Sequence, residues 1–336
     1  MFLDVLTVAG GVALILLGAG ELRRALDRLF GIRLEGWIQG LAANRGRAFA
    51  SGLGFSLLAP SSTTMAMLAI ETVDEHLASP AQVLAMLLGA GIGLTATIQL
   101  VAFRLSAYAP AFVLFGYLLN QAQRAPRVRQ AARMVIGLGL IFLGIASVQS
   151  GLGSALAAAP GAARALAGLE HRPVVLLASA LALSAATQSA TATIALAIAL
   201  AESETLSLQA AIPWVVGANL GIASTVLIGG FTHREARRVG AALTLAQALV
   251  GVPAAVWAER VAEALRSMPG TTAHDIANAH TGFNAAVAAV GLLLLTPLLQ
   301  VVARVVPSPH RAAGSRWVDC TLPPQPAESF ALAASQ

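Results

Sequence analysis

Two long apolar segments, Phe49–Ile70 and Val174–Leu200, are each interrupted midway by polar residues. That interruption restricts the fold more than any other feature. A backbone break inside hydrocarbon leaves amides and carbonyls unpaired, at several kcal/mol each, so it survives only where protein, water or a ligand satisfies them. Around Pro60 the sequence supplies Ser61, Ser62, Thr63 and Thr64, and around Gln188 it supplies Thr187, Ser189, Thr191 and Thr193. A hydroxyl both donates and accepts, so such a gap can serve an anion or a cation.

The remainder of the chain belongs in a bilayer. Of its 336 residues 57% are hydrophobic and 11% charged, less than half the charge of an ordinary soluble chain. Uninterrupted apolar segments fall at Leu6–Gly20, Ala81–Phe103, Ala109–Leu119, Val135–Val148, Gln209–Gly230, Val239–Trp257 and Phe283–Val306. Glu21–Arg47 mixes six arginines with Leu22, Leu26, Leu29, Phe30, Leu34, Trp37, Ile38 and Leu41. It reads as interfacial amphipathic helices, with a plain cytoplasmic linker as the alternative. A single cysteine, Cys320, excludes a disulfide framework.

Every cationic side chain behind the net charge of +5 is arginine. In a membrane protein this excess reports orientation and not a nucleic-acid partner. If both interrupted segments enter the membrane and return to the same face, 16 of the 21 arginines share one side. Positive-inside bias makes that side cytoplasmic, in a multi-pass membrane protein. The first span lacks a basic leader, so no cleavable signal is expected. Residues 307–336 read as a disordered cytoplasmic tail.

A gapless internal repeat reinforces the interrupted segments. A shift of 128 places Pro60-Ser61-Ser62-Thr63 on Gln188-Ser189-Ala190-Thr191, and Gly89-Ala90-Gly91-Ile92-Gly93 on Gly217-Ala218-Asn219-Leu220-Gly221. Between Leu53 and Thr97 twelve positions match, eight of them neither alanine nor leucine, which composition bias explains poorly. The expected fold is an all-α integral membrane protein of residues 1–306. It would hold two inverted repeats, about 49–149 and 173–306, each with a re-entrant or broken helical hairpin. In such designs the substrate lies near the midplane where the halves meet.

Serine and threonine inside membranes also act as packing glue, and one isolated cluster would be read so. Two clusters at equivalent repeat positions favour a binding site. Gly89, Gly93, Gly217 and Gly221 suit either close helix packing or the site. Asn219 needs partners wherever it is buried. No charged residue falls in the middle of a span, so an anion's charge would have to be met by helix ends and co-bound cations, which points to symport. His280, with Phe283 and Asn284, reads as the start of the last span. No nucleophile–base pair, P-loop or zinc spacing is present, so an enzyme is not expected.

The residues Gln188-Ser189-Ala190-Thr191-Ala192-Thr193, then Gly217-Ala218-Asn219-Leu220-Gly221, then Ala279-His280-Thr281-Gly282-Phe283-Asn284 resemble motifs of the type II sodium–phosphate cotransporters. The resemblance runs from about Leu6 to Val306 and suggests a bacterial short form without the C-terminal regulatory domain. It implies sodium-driven import of inorganic phosphate by alternating access. Phosphate and sodium ions would be its ligands, with no organic cofactor, the lipid bilayer its surroundings, and a homodimer left open. By position it assigns Ser61, Ser62, Gln188, Ser189 and Thr191 to phosphate, and Thr63, Thr64, Thr191, Thr193 and Asn219 to sodium. This chain departs from the family pattern at Pro60 (glutamine), Gly91 (asparagine) and Ala190 (serine). The alternatives are a transporter of another small oxyanion or organic anion, or a non-transporting sensor or scaffold.

Overall fold

The computed structural model describes residues 2–30, 44–58, 60–74, 77–103, 105–122, 125–159, 161, 168–229 and 234–306. Its helices in chain order are α1 (Phe2–Phe30), α2 (Arg45–Leu58), α3 (Ser62–Asp74), α4 (Pro80–Val101), α5 (Ala109–Ala122), α6 (Pro126–Ala158), α7 (Pro173–Thr187), α8 (Ala190–Glu202), α9 (Leu208–Gly229), α10 (Arg234–Val256), α11 (Ala258–Arg266), α12 (Thr272–Leu293) and α13 (Leu295–Val305). No strand occurs among the described residues. Six of these, α1, α4, α6, α9, α10 and α12, are long and apolar enough to cross a membrane. The 22 residues of α4 rise about 33 Å, against a hydrocarbon core of about 30 Å. Phe2, Phe115 and Leu293 are 79%, 62% and 81% exposed, an outer surface suited to lipid. The protein is an all-α membrane protein.

The repeat seen in the sequence reappears in the helix boundaries. Arg45 and Pro173 begin α2 and α7, Ser62 and Ala190 begin α3 and α8, and Pro80 and Leu208 begin α4 and α9, each pair 128 apart. Packing repeats as well. A Cβ on Gly89 would stand 2.1 Å from the Phe49 carbonyl oxygen, and one on Gly217 the same 2.1 Å from that of Leu177. On Gly93 and Gly221 it would lie 2.5 Å from the carbonyl oxygens of Leu53 and Leu181. These glycines let α2 lie against α4, and α7 against α9, closer than any side chain permits.

The same contacts fix direction. Along α2, Phe49 meets Gly89 and Leu53 meets Gly93, so α2 runs parallel to α4. The far end of α2 therefore lies beside the middle of α4. Only a returning α3 can carry the chain back to Pro80, so the first interrupted segment is a helix–turn–helix hairpin. Leu177 with Gly217 and Leu181 with Gly221 give the second hairpin the same form.

Three expectations need correction. Glu21–Phe30 continues α1 without a break, with Leu22, Ala25 and Leu26 buried, and does not begin a separate surface helix. Those apolar side chains sit on the face of α1 that is already packed, which their spacing alone could not reveal. Residues 31–43 of that expected interfacial segment, and the tail from 307 with Cys320, lie outside the described residues. The last span starts at Thr272, not Phe283, and stops at Leu294 before α13. Asn278, His280, Thr281 and Asn284 lower the hydropathy of its first half and moved the apparent start. Ala109–Leu119 forms α5, whose 14 residues rise only about 21 Å.

Candidate functional site

The second hairpin turns at Gln188, whose backbone is left-handed at φ 51°, ψ 37°. A non-glycine residue there costs roughly 1–2 kcal/mol, so the position retains glutamine against a conformational penalty. The Gln188 amide still donates to the Ser184 carbonyl, closing α7. Ser189 then caps α8: its Oγ accepts from the Ala192 amide at 3.1 Å. The Ser189 carbonyl accepts from Thr193 Oγ1 at 3.0 Å.

Ser61 performs the equivalent task for α3, its Oγ accepting from the Thr64 amide at 3.2 Å and bonding Thr64 Oγ1 at 2.7 Å. Pro60 stands where Gln188 does, and its ring excludes positive φ, so the two turns differ in backbone as well as side chain. In both halves a fresh helix begins at the break. Its first amides lack intrahelical partners, and its positive dipole end points into the gap.

The two turns meet. A cavity of about 270 Å³ is lined by Pro60 and Ser62 of the first hairpin, and by Thr187, Gln188, Ser189 and Thr191 of the second. Thr97 of α4 and Leu16, Ala19, Gly20, Leu22, Arg23 and Arg24 of α1 complete its wall. Ser62 and Thr191 also face a smaller cavity of about 60 Å³, bordered by Gly91, Asn219, Gln247, His280 and Asn284. Of the residues singled out in the sequence, Ser62, Gln188, Ser189, Thr191 and Asn219 therefore converge. Ser61 and Thr193 are buried, each spending its hydroxyl on its own hairpin. Thr64 is half-buried against Ser61, and Thr63 belongs to the first turn of α3.

Sequence reasoning missed two groups. The first is Arg23 and Arg24, assigned to a surface segment. Because α1 runs on to Phe30, these arginines stand over the hairpin tips, and the cavity is not without cationic side chains. The second is the polar cluster on α10 and α12. Asn284 Nδ2 donates to Asn219 Oδ1 at 3.1 Å and to the His280 carbonyl at 2.9 Å, and Asn219 Nδ2 donates to the Val215 carbonyl at 2.8 Å. His280 is buried mid-helix and not at a helix start. Gln247 Oε1 and His280 Nδ1 are buried without a hydrogen-bond partner. The one sequence signal for this cluster was its polarity within an otherwise apolar helix. Nearby, Gln99 Nε2 donates to Asn278 Oδ1 at 3.2 Å and Thr281 Oγ1 at 3.0 Å, tying α4 to α12.

Chemically the larger cavity offers amides, hydroxyls and guanidinium groups to an anion. The sites behind it offer oxygen lone pairs. Thr193 donates its one proton to Ser189, so its oxygen keeps lone pairs for a cation.

Over 143 residues the chain is 31% identical to the YjbB proteins of Escherichia coli K12 and Shigella flexneri, which are named for inorganic phosphate export, and 29% identical to that of Salmonella typhimurium LT2. These matches cover 43% of this chain and 26% of each relative. The chain thus spans about a quarter of the relatives' length in the matched region. No solved structure matches it. The sequence profile described as Na+/Pi-cotransporter matches twice in succession, at residues 14–150 and 148–296, nearly one match to each repeat. The chain belongs to the Na+/Pi-cotransporter family.

Proposed function

We propose that this protein is a sodium-coupled secondary transporter of inorganic phosphate, working by alternating access, and not an enzyme. The observation that carries this reading is the shared cavity, in which equivalent hairpin tips of the two repeats face each other. Ser62, Gln188, Ser189 and Thr191 would hold phosphate. Ser61 would act through the helix end that it caps. Thr191, Thr193 and Asn219, with Thr63 and Thr64 of the first repeat, would provide oxygen ligands for sodium.

Inverted repeats are part of the proposal, and α12 packs against the equivalent helices α4 and α9 of both repeats. Gly91 of α4 abuts Asn284 while Leu88 abuts Gly291, so α4 runs antiparallel to α12. Ala279, Gly282, Phe283 and Ala286 of α12 line one pocket with Ile212, Val215 and Val216 of α9, and Asn284 bonds Asn219, so α12 packs against α9 as well. In an inverted arrangement the equivalent helices α4 and α9 would point in opposite directions on either side of α12. Such repeats, each rocking against the other, supply the two faces that alternating access requires.

Sodium would bind first, adding positive charge beside the tips and raising phosphate affinity, with the reciprocal effect of phosphate on sodium required by linkage. In a bacterial inner membrane with its arginine-rich loops inside, an inward sodium gradient drives import. The names of the relatives favour export as the second reading. Labelled phosphate in proteoliposomes under imposed sodium gradients separates the two. Import predicts uptake that follows the sodium gradient and is lost in Gln188→Ala and Ser189→Ala. Efflux indifferent to sodium supports export, and uptake at the parental rate in both variants contradicts the site.

A further inference from the structure

We propose that Arg23 is the principal charged anion-binding residue of the tip cavity, contacting a doubly charged tetrahedral oxyanion together with the second hairpin. This rests on the phosphate-transport reading and names the group that neutralises the substrate. Arg23 is half-buried and lines the same cavity as Ser62, Gln188, Ser189 and Thr191. Its neighbour Arg24 lines the same cavity but is ion-paired: Nη2 meets Glu21 Oε2 at 2.7 Å, and Arg24's side chain is 54% exposed. Glu21 also approaches Arg133 Nε of α6 at 3.9 Å. Arg23 also makes an interaction of its own, and its guanidinium carries five donors in a planar fork. That fork matches two oxygens of a phosphate, and charge-assisted bonds of this kind are about twice as strong as neutral ones.

The hydroxyls and the Gln188 amide are neutral, and two helix ends together bring about one unit of positive charge. A dianion held by those groups alone would keep about one negative charge uncompensated in a low-dielectric wall. Arg23 and a co-bound sodium ion are the two cationic groups that can fill that gap. The guanidinium and sodium are then partly interchangeable as counter-charges. Removing one should make phosphate binding lean harder on the other.

An arginine near a helix end also snorkels to lipid headgroups, so the oxyanion could be free phosphate or an anionic lipid. The experiment measures phosphate transport by the full chain, Arg23→Gln and Arg23→Lys in proteoliposomes of pure phosphatidylcholine and of phosphatidylcholine with phosphatidylglycerol, across a sodium series. The expected result is a phosphate KM raised at least about tenfold in Arg23→Gln, with little change in kcat and a steeper sodium dependence of KM, in both lipids. Arg23→Lys should recover part of the affinity, because it keeps the charge and loses the fork. An unchanged KM in Arg23→Gln, or an effect confined to phosphatidylglycerol vesicles, overturns the proposal. Should Arg23→Gln fail to fold, Arg23→Lys decides, since a KM equal to the parent's contradicts the fork contact. Parental phosphate transport that is sodium-dependent with an indifferent Arg23 sinks this inference alone. Absence of phosphate transport by the parent sinks the reading beneath it.

Discussion

Asn284 donates to Asn219 Oδ1 at 3.1 Å, and its own Oδ1 occupies the space where a side chain on Gly91 would begin, 2.8 Å from an added Cβ. Gly91 is the repeat equivalent of Asn219, so a single residue of α12 bridges the two equivalent positions and compensates for the amide that the first repeat lacks. Gly91→Ala should destabilise the protein by about 1–3 kcal/mol through overpacking. Asn284→Ala removes the obstacle. In that background Gly91→Ala should be tolerated, with a coupling of about 0.5–3 kcal/mol. Thermal melts of the double-mutant cycle in detergent check this, and additive losses would contradict the bridge.

Gly217→Ala tests the packing that the repeats share. Its Cβ would lie 2.1 Å from the Leu177 carbonyl oxygen, a backbone atom that cannot swing aside. The variant should lose several degrees in Tm or fail to yield monodisperse protein. Gly282, with open space around its Cα, should accept alanine with no measurable loss. Size-exclusion profiles after graded heating would compare them.

At Gln188 stability and transport should separate. Glycine adopts the left-handed backbone without penalty, so Gln188→Gly should match or exceed the parent in Tm. It also deletes the amide facing the cavity and should abolish sodium-dependent phosphate uptake. A variant that transports normally would show that the glutamine is there for its backbone alone.

The two caps should differ in the same way. Ser61→Ala and Ser189→Ala each remove an N-cap and should each lower stability by about 1 kcal/mol. Only Ser189 also lines the cavity, so its loss should weaken phosphate binding more. Paired melts and uptake curves read both quantities, and equal effects on KM would contradict the asymmetry.

Much of this arrangement was legible because polarity inside an apolar run is rare and a gapless repeat turns one such signal into two. The serine clusters at Ser61 and Ser189, and the glycine pairs Gly89–Gly93 and Gly217–Gly221, stood at equivalent places in the chain and again in the packing. What stayed hidden had no local signature. Arg23 reads as a surface residue until α1 is known to run past Gly20. Gln247, His280 and Asn284 meet Asn219 only through tertiary packing, and His280 was misplaced because polar neighbours blurred the start of α12. The left-handed backbone at Gln188 has no sequence signature, since glutamine gives no hint of positive φ.

The most direct measurement is the binding isotherm of labelled phosphate to the purified protein at several sodium concentrations, for the parent, Ser62→Ala and Ser189→Ala, one change in each hairpin tip. The account predicts parental affinity that rises with sodium and is weakened by either substitution. An isotherm indifferent to sodium, or a variant whose curve overlies the parent's, would contradict a phosphate site built jointly by the two tips.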